Sequence, residues 1–130
     1  MIFGIGTDCV QIERIKKLLG QFDEKAIKRL FTETEIKRAE KSTCEENKIR
    51  TYAKRFAAKE AFSKALGTGI GCIDFCDIEV DNSDTGAPFL KVSQKVMNLI
   101  LEKTQGQLPQ FHISLSDEKE MALAFVIIEI

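Results

Sequence analysis

The sequence predicts an α+β fold, an antiparallel sheet with helices packed on one side. Three observations carry this. Apolar or alternating segments stand at both ends of the chain and again in its second half. Arg55-Phe56-Ala57-Ala58-Lys59-Glu60-Ala61-Phe62-Ser63-Lys64-Ala65-Leu66 consists of good helix formers, with no proline and no β-branched residue. Two turn-forming stretches, Asp81 to Gly86 and Asp117 to Glu120, separate segments of strand character.

Taken in order, Met1 to Gly6 is a short buried strand, with Gly4 and Gly6 admitting a close neighbour and Asp8 at its end. Asp8 either caps the next helix or points into a cleft. That helix runs from about Val10 to Leu19, with Arg14, Lys16 and Lys17 on its charged side and Gly20 as its stop. A second helix spans about Asp23 to Phe31. Thr32-Glu33-Thr34-Glu35 starts a third, and Lys41 to Asn47 is turn-like before the central helix begins near Lys48.

In the central helix, Ala57, Ala58, Ala61, Phe62, Ala65 and Leu66 share one arc at about 100° per residue. Phe56, Glu60, Ser63 and Lys64 lie opposite, and Phe56 there means that this side is partly covered too. Glu60 and Lys64 stand in the favourable order for a helical ion pair. They read either as a solvated pair or as the carboxylate and ammonium of a site for anions and metal. Gly67-Thr68-Gly69-Ile70-Gly71 follows a helix and precedes none, which excludes a dinucleotide-binding loop. Asp77 to Val80 and Pro88 to Leu90 form one hairpin around the Asp81–Gly86 turn. A helix marked by Val92, Val96, Leu99 and Ile100 ends at Gly106. Gln110 to Ser116 and Met121 to Ile130 form the last hairpin, with His112, Ser114 and Ser116 sharing a side.

Composition bounds the function. At 130 residues, 44% hydrophobic and 30% charged, the chain is expected to be one globular domain, 1–130. A net charge of −1, no Trp and a single Tyr argue against a nucleic-acid binder. No apolar run is long enough to cross a membrane, and no basic segment precedes an apolar one at the N-terminus, so a cytoplasmic protein is expected. Cys9, Cys44, Cys72 and Cys76 contain no Cys-x-x-Cys pair, and one His accompanies them. Zinc is therefore not expected, and the four thiols are read as reduced packing residues.

Three segments, in order and at compatible distances, are specific together: Gly4-Ile5-Gly6-Thr7-Asp8, Arg55 through Ala65, and His112-Ile113-Ser114-Leu115-Ser116. With the Gly67–Gly71 loop and the Gly86-x-Pro88 turn, they make the chain resemble, over nearly its whole length, the holo-acyl-carrier-protein synthases. These are small 4'-phosphopantetheinyl transferases of bacterial fatty acid synthesis. The resemblance implies transfer of phosphopantetheine from coenzyme A to a serine of apo acyl carrier protein, releasing adenosine 3',5'-bisphosphate. It implies Asp8 and Glu60 as Mg2+ ligands, and Asp8, Glu60 and Lys64 as catalytic residues. Arg55, Lys64, Gly67, Thr68, Gly69, Pro88 and His112 match positions lining the coenzyme A site. Arg14 and Lys17 match the surface that receives the acidic carrier. A homotrimer with sites between subunits is implied as well.

The chemistry is coherent, because phosphoryl-type transfer is catalysed by positioning and charge neutralisation. The serine nucleophile belongs to the partner, and its proton goes to Glu60 or to a magnesium-bound water. Where many members carry a second histidine after the His-x-Ser stretch, this chain has Asp117. The alternative class is a non-catalytic module that binds a nucleotide or acidic protein without turnover.

Overall fold

A computed structural model describes all residues, 1–130. Strand β1 (Ile2–Gln11) runs directly into helix α1 (Ile12–Gln21), followed by α2 (Glu24–Leu30), α3 (Glu33–Glu40) and the long α4 (Glu45–Leu66). Two short 3-10 turns lead to β2 (Ile78–Asn82) and β3 (Pro88–Val92), and then come α5 (Gln94–Lys103), β4 (Gln110–Asp117) and β5 (Met121–Glu129). The α+β class and both hairpins are as expected. The strands, however, divide into two antiparallel sheets, one of order β1-β5-β4 and one of β2-β3, where the sequence predicted one. The β2–β3 hairpin lies beside β4 without joining its ladder.

Several boundaries move for identifiable reasons. β1 extends to Gln11 because β5 pairs with it along its length, from Ile2 opposite Glu129 to Gln11 opposite Met121. Asp8 is therefore mid-strand, opposite Ala124, and caps no helix. α1 continues through Gly20, and its end is the extended Phe22, whose N–H donates to the Leu18 carbonyl. α4 starts at Glu45, with Glu45 and Glu46 in the first turn where the helix dipole favours acids. The Thr32 start is a complete capping box with Glu35.

The core lies between α4 and the inner face of the three-stranded sheet. Ala122, Ala124, Val126 and Ile128 of β5 are fully buried there, against Ala57, Ala58, Ala61 and Phe62 of α4. Small residues on both sides let β1 lie directly on the helix. A Cβ added at Gly6 would stand 1.8 Å from the Ala61 carbonyl oxygen, and one at Gly4 equally close to that of Ala65. The opposite face of the sheet carries no helix, and Ile5, Leu123 and Phe125 are exposed on it.

α4 is buried nearly all round. Phe56 stacks on Phe75 at 5.4 Å, and the Arg14 guanidinium covers its ring. On the third side Lys59 and Glu35 form a wholly enclosed ion pair of 2.6 Å. Lys59 also donates to the Leu30 and Phe75 carbonyls, and Glu35 accepts from the N–H groups of Thr32 and Val80. All four cysteines are free and exposed, so they are not the packing residues the sequence led us to expect. Cys9 is at an outward strand position, Cys44 caps α4, and Cys72 and Cys76 lie in the two 3-10 turns.

Candidate functional site

Two groups of predicted site residues form, on different sides of the molecule. The first is built where β1 crosses the second half of α4. Gly4, Gly6, Asp8 and Val10 alternate onto the inner face of β1, which turns Asp8 toward the helix. Lys64 reaches it, its Nζ lying 3.3 Å from Asp8 Oδ1 and donating to the Thr7 carbonyl at 2.9 Å. Glu60 is half-buried one turn earlier, and burial raises its pKa. The Asp8 carboxylate raises it further, while Lys64 and Arg14 oppose both. The sequence-predicted Glu60–Lys64 ion pair is not made. Lys64 prefers a partner on another element, which spacing along one helix cannot reveal.

The glycine loop begins just beyond Lys64. Gly67 caps α4 with φ 83°, its N–H donating to the Ser63 and Lys64 carbonyls. Thr68 and Gly69 follow at the surface. Arg14 and Lys17 are exposed on α1, and together with Leu18, Gln21 and Phe22 they border an open concavity of about 470 Å³. A larger one, about 680 Å³, lies between α1, the start of α4 and the β4–β5 turn, and holds none of the predicted site residues.

The second group surrounds the β2–β3 hairpin. Arg55 precedes Glu60 by five residues and Lys64 by nine, so it projects about 140° and 180° away from them around the helix. It is 4% exposed, and its Nη2 donates to Asn82 Oδ1 at 2.6 Å. Asn82 pairs across the hairpin with Pro88. His112 stands on the outer face of β4, exposed, with Nε2 2.8 Å from Glu129 Oε2. Asp8, Glu60 and Lys64 are thus brought together, as are Arg55 and Pro88. One chain does not bring the two groups together, and His112 faces away from Asp8 through the sheet.

Asp117 is anchored by two cations, Arg50 and Lys54, each at 3.1 Å, and Arg50 also donates to the Glu118 and Lys119 carbonyls. Burial pushes its carboxyl up, but Lys54 and Arg50 outweigh this and hold it below the usual range. Asp117 thus ties the β4–β5 turn to α4. Sequence reasoning passed over Asn82 as turn chemistry and left Lys59 unassigned. The signal for Lys59 was Phe56, because a helix covered on both sides must bury whatever lies between.

Asp8 and Glu60 are hard oxygen donors whose mutual repulsion a cation would relieve. No third His, Cys, Asp or Glu joins them.

A sequence model of the family described as "4'-phosphopantetheinyl transferase superfamily" matches residues 4–126. The chain is 47% identical over 132 residues to a holo-[acyl-carrier-protein] synthase of Zymomonas mobilis, covering 99% of this chain and 97% of the relative. Its structure is similar to that of a holo-(acyl-carrier-protein) synthase of Bacillus anthracis in complex with CoA (3',5'-ADP). The TM-score is 0.78 at 40% identity, covering 98% and 96% of the two chains. It is similar also to the enzyme of Neisseria meningitidis, with TM-score 0.83 at 36% identity and 99% of each chain covered.

Proposed function

The chain belongs to the 4'-phosphopantetheinyl transferase superfamily, and from that membership we propose that it moves phosphopantetheine from coenzyme A to a serine of apo acyl carrier protein. The relatives are synthases by name, and one is seen with coenzyme A, which supports a transferase over a binding module without turnover. The observation that carries the reading is the convergence of Asp8, Glu60 and Lys64 from two elements at the crossing of β1 and α4.

In this reading Asp8 and Glu60 hold Mg2+, which when bound neutralises charge on the pyrophosphate of coenzyme A. Lys64, now leaning on Asp8, turns to the departing phosphate and stabilises the charge that grows there. Glu60 is also the carboxylate this chain offers as acceptor for the proton of the carrier serine. Arg14 and Lys17, with the exposed Phe22 beside them, receive the acidic carrier next to these groups. Gly67, Thr68 and Gly69 flank the bound coenzyme A.

Arg55, Pro88 and His112 belong to the same site but come from a second copy of the chain. Their separation from Lys64 and the uncovered apolar face of the sheet support a homotrimer with its sites between subunits. We take residues 1–130 as one domain acting in the cytoplasm. Incubation with Mg2+, coenzyme A and apo carrier, followed by weighing the carrier, tests the function. The carrier should gain the mass of one phosphopantetheine with the wild type and none with Glu60→Gln. A carrier of unchanged mass with the wild type overturns the reading.

A further inference from the structure

Arg55 is the least compensated charge in the molecule's interior. It is 96% enclosed, makes no salt bridge, and its Nε is buried without any partner. Burial pushes its pKa down, Glu35 and Asp81 oppose this from beyond ion-pair reach, and Arg38 adds to it. Desolvating a guanidinium without pairing it costs several kcal/mol in principle, so its surroundings invite an anion. Its single fixed contact is neutral: Nη2 donates to Asn82 Oδ1.

Asn82 is itself held rigidly. Its Nδ2 donates to the Gly86 carbonyl at 3.0 Å and its backbone N–H to Asp81 Oδ1 at 2.8 Å. Turning the amide over would set two donors against each other at Arg55 and two acceptors at Gly86, so the oxygen is locked toward the guanidinium. An amide in this place accepts one N–H bond and leaves the positive charge unspent. A carboxylate of the same shape would cancel it.

We propose that Asn82 is a positioning residue, which aims the Arg55 guanidinium at an anionic oxygen of coenzyme A while leaving its charge available to that group. This rests on the reading that Arg55 lies in the coenzyme A site. It explains why the β2–β3 turn is tied to α4 by a neutral side chain rather than an ion pair.

The decisive variant is Asn82→Asp, which keeps the size and adds a charge, because binding should then suffer while the fold persists. The guanidinium gains a counter-charge, while the new carboxylate oxygen meets the Gly86 carbonyl with no hydrogen between them, so the two effects oppose and the protein should stay folded. KM for coenzyme A should rise about tenfold or more with kcat nearly unchanged, the size of one charged hydrogen bond. A purely structural asparagine would leave KM for coenzyme A unchanged in the folded variant. An unchanged KM for coenzyme A overturns the proposal, and should this variant not fold, Asn82→Ala decides. Asn82→Ala should lower the melting temperature and raise KM for coenzyme A, with unchanged KM again counting against it. Arg55→Gln separates the two ideas. If it leaves KM for coenzyme A unchanged, the placement of Arg55 in that site is wrong. If it raises KM while Asn82→Asp does not, only the role of Asn82 falls.

Discussion

Replacing Gly6 by alanine should disturb both fold and function through one contact. The new Cβ would lie 1.8 Å from the Ala61 carbonyl oxygen and 2.7 Å from the Ala65 nitrogen. An ordinary carbon contact is about 3.5 Å, so β1 must retreat from α4 by roughly 1.5 Å. Both neighbours are backbone atoms inside a helix and have no rotamer with which to yield. Overpacking costs about 1–3 kcal/mol when side chains adapt, so the loss here should reach about 3 kcal/mol or more. In a chain of this size that is roughly 10 °C in melting temperature. Asp8 is two residues further along the same face and moves with the strand. A misplacement of about 1 Å between reacting groups costs about a hundredfold in rate. Urea unfolding and turnover of the folded fraction measure both effects. Ala61→Gly should not rescue Gly6→Ala, because the obstructing atom is the carbonyl oxygen of residue 61. Stability within about 0.5 kcal/mol of wild type, or rescue by Ala61→Gly, would refute the close-approach reasoning.

Lys59→Met strands the fully buried Glu35 carboxylate and should cost about 3–5 kcal/mol in urea unfolding, and a loss below about 1 kcal/mol would contradict the enclosed pair. Glu60 is raised in the folded state, so the folded chain holds that proton to higher pH than the unfolded one does. Its contribution therefore lowers stability as pH climbs from the unfolded carboxylate value of about 4.5 through the higher folded one. Glu60→Gln should be more stable than wild type at pH 7 while losing transfer, and urea midpoints at pH 4 and pH 7 check the sign. Arg14→Glu should raise KM for the acidic carrier several-fold and weaken its salt dependence, with KM for coenzyme A nearly unchanged. Equal shifts in both constants would place the docking surface elsewhere.

Much of the fold is legible in local chemistry. Alanines and leucine before Gly67, the Thr32–Glu35 box and the alternation of Gln110 to Ser116 depend on near neighbours in the chain, and each element forms as expected. What escapes is set by partners distant in sequence. Thr7, Asp8 and Gln11 do not look like a strand, and they become one because β5 supplies the ladder. Nothing in β2 or β3 declares that their hairpin stays apart from the larger sheet. The same division runs through the site. Glu60 and Lys64 stand out by helical spacing, yet the bond Lys64 makes is to Asp8, 56 residues away. Asn82 reads as an ordinary turn residue until Arg55 is found against it.

The most direct test asks whether the two groups of site residues, separated within one chain, work across two copies. Lys64→Met disables the first group and Arg55→Gln the second, and each should transfer poorly at subsaturating coenzyme A. Co-refolded in equal amounts, they should recover about a quarter of wild-type turnover, because in a random closed ring one junction in four joins two intact halves. If the mixture is no more active than its better component, the site is not shared between copies and the division seen around α4 has no part in function.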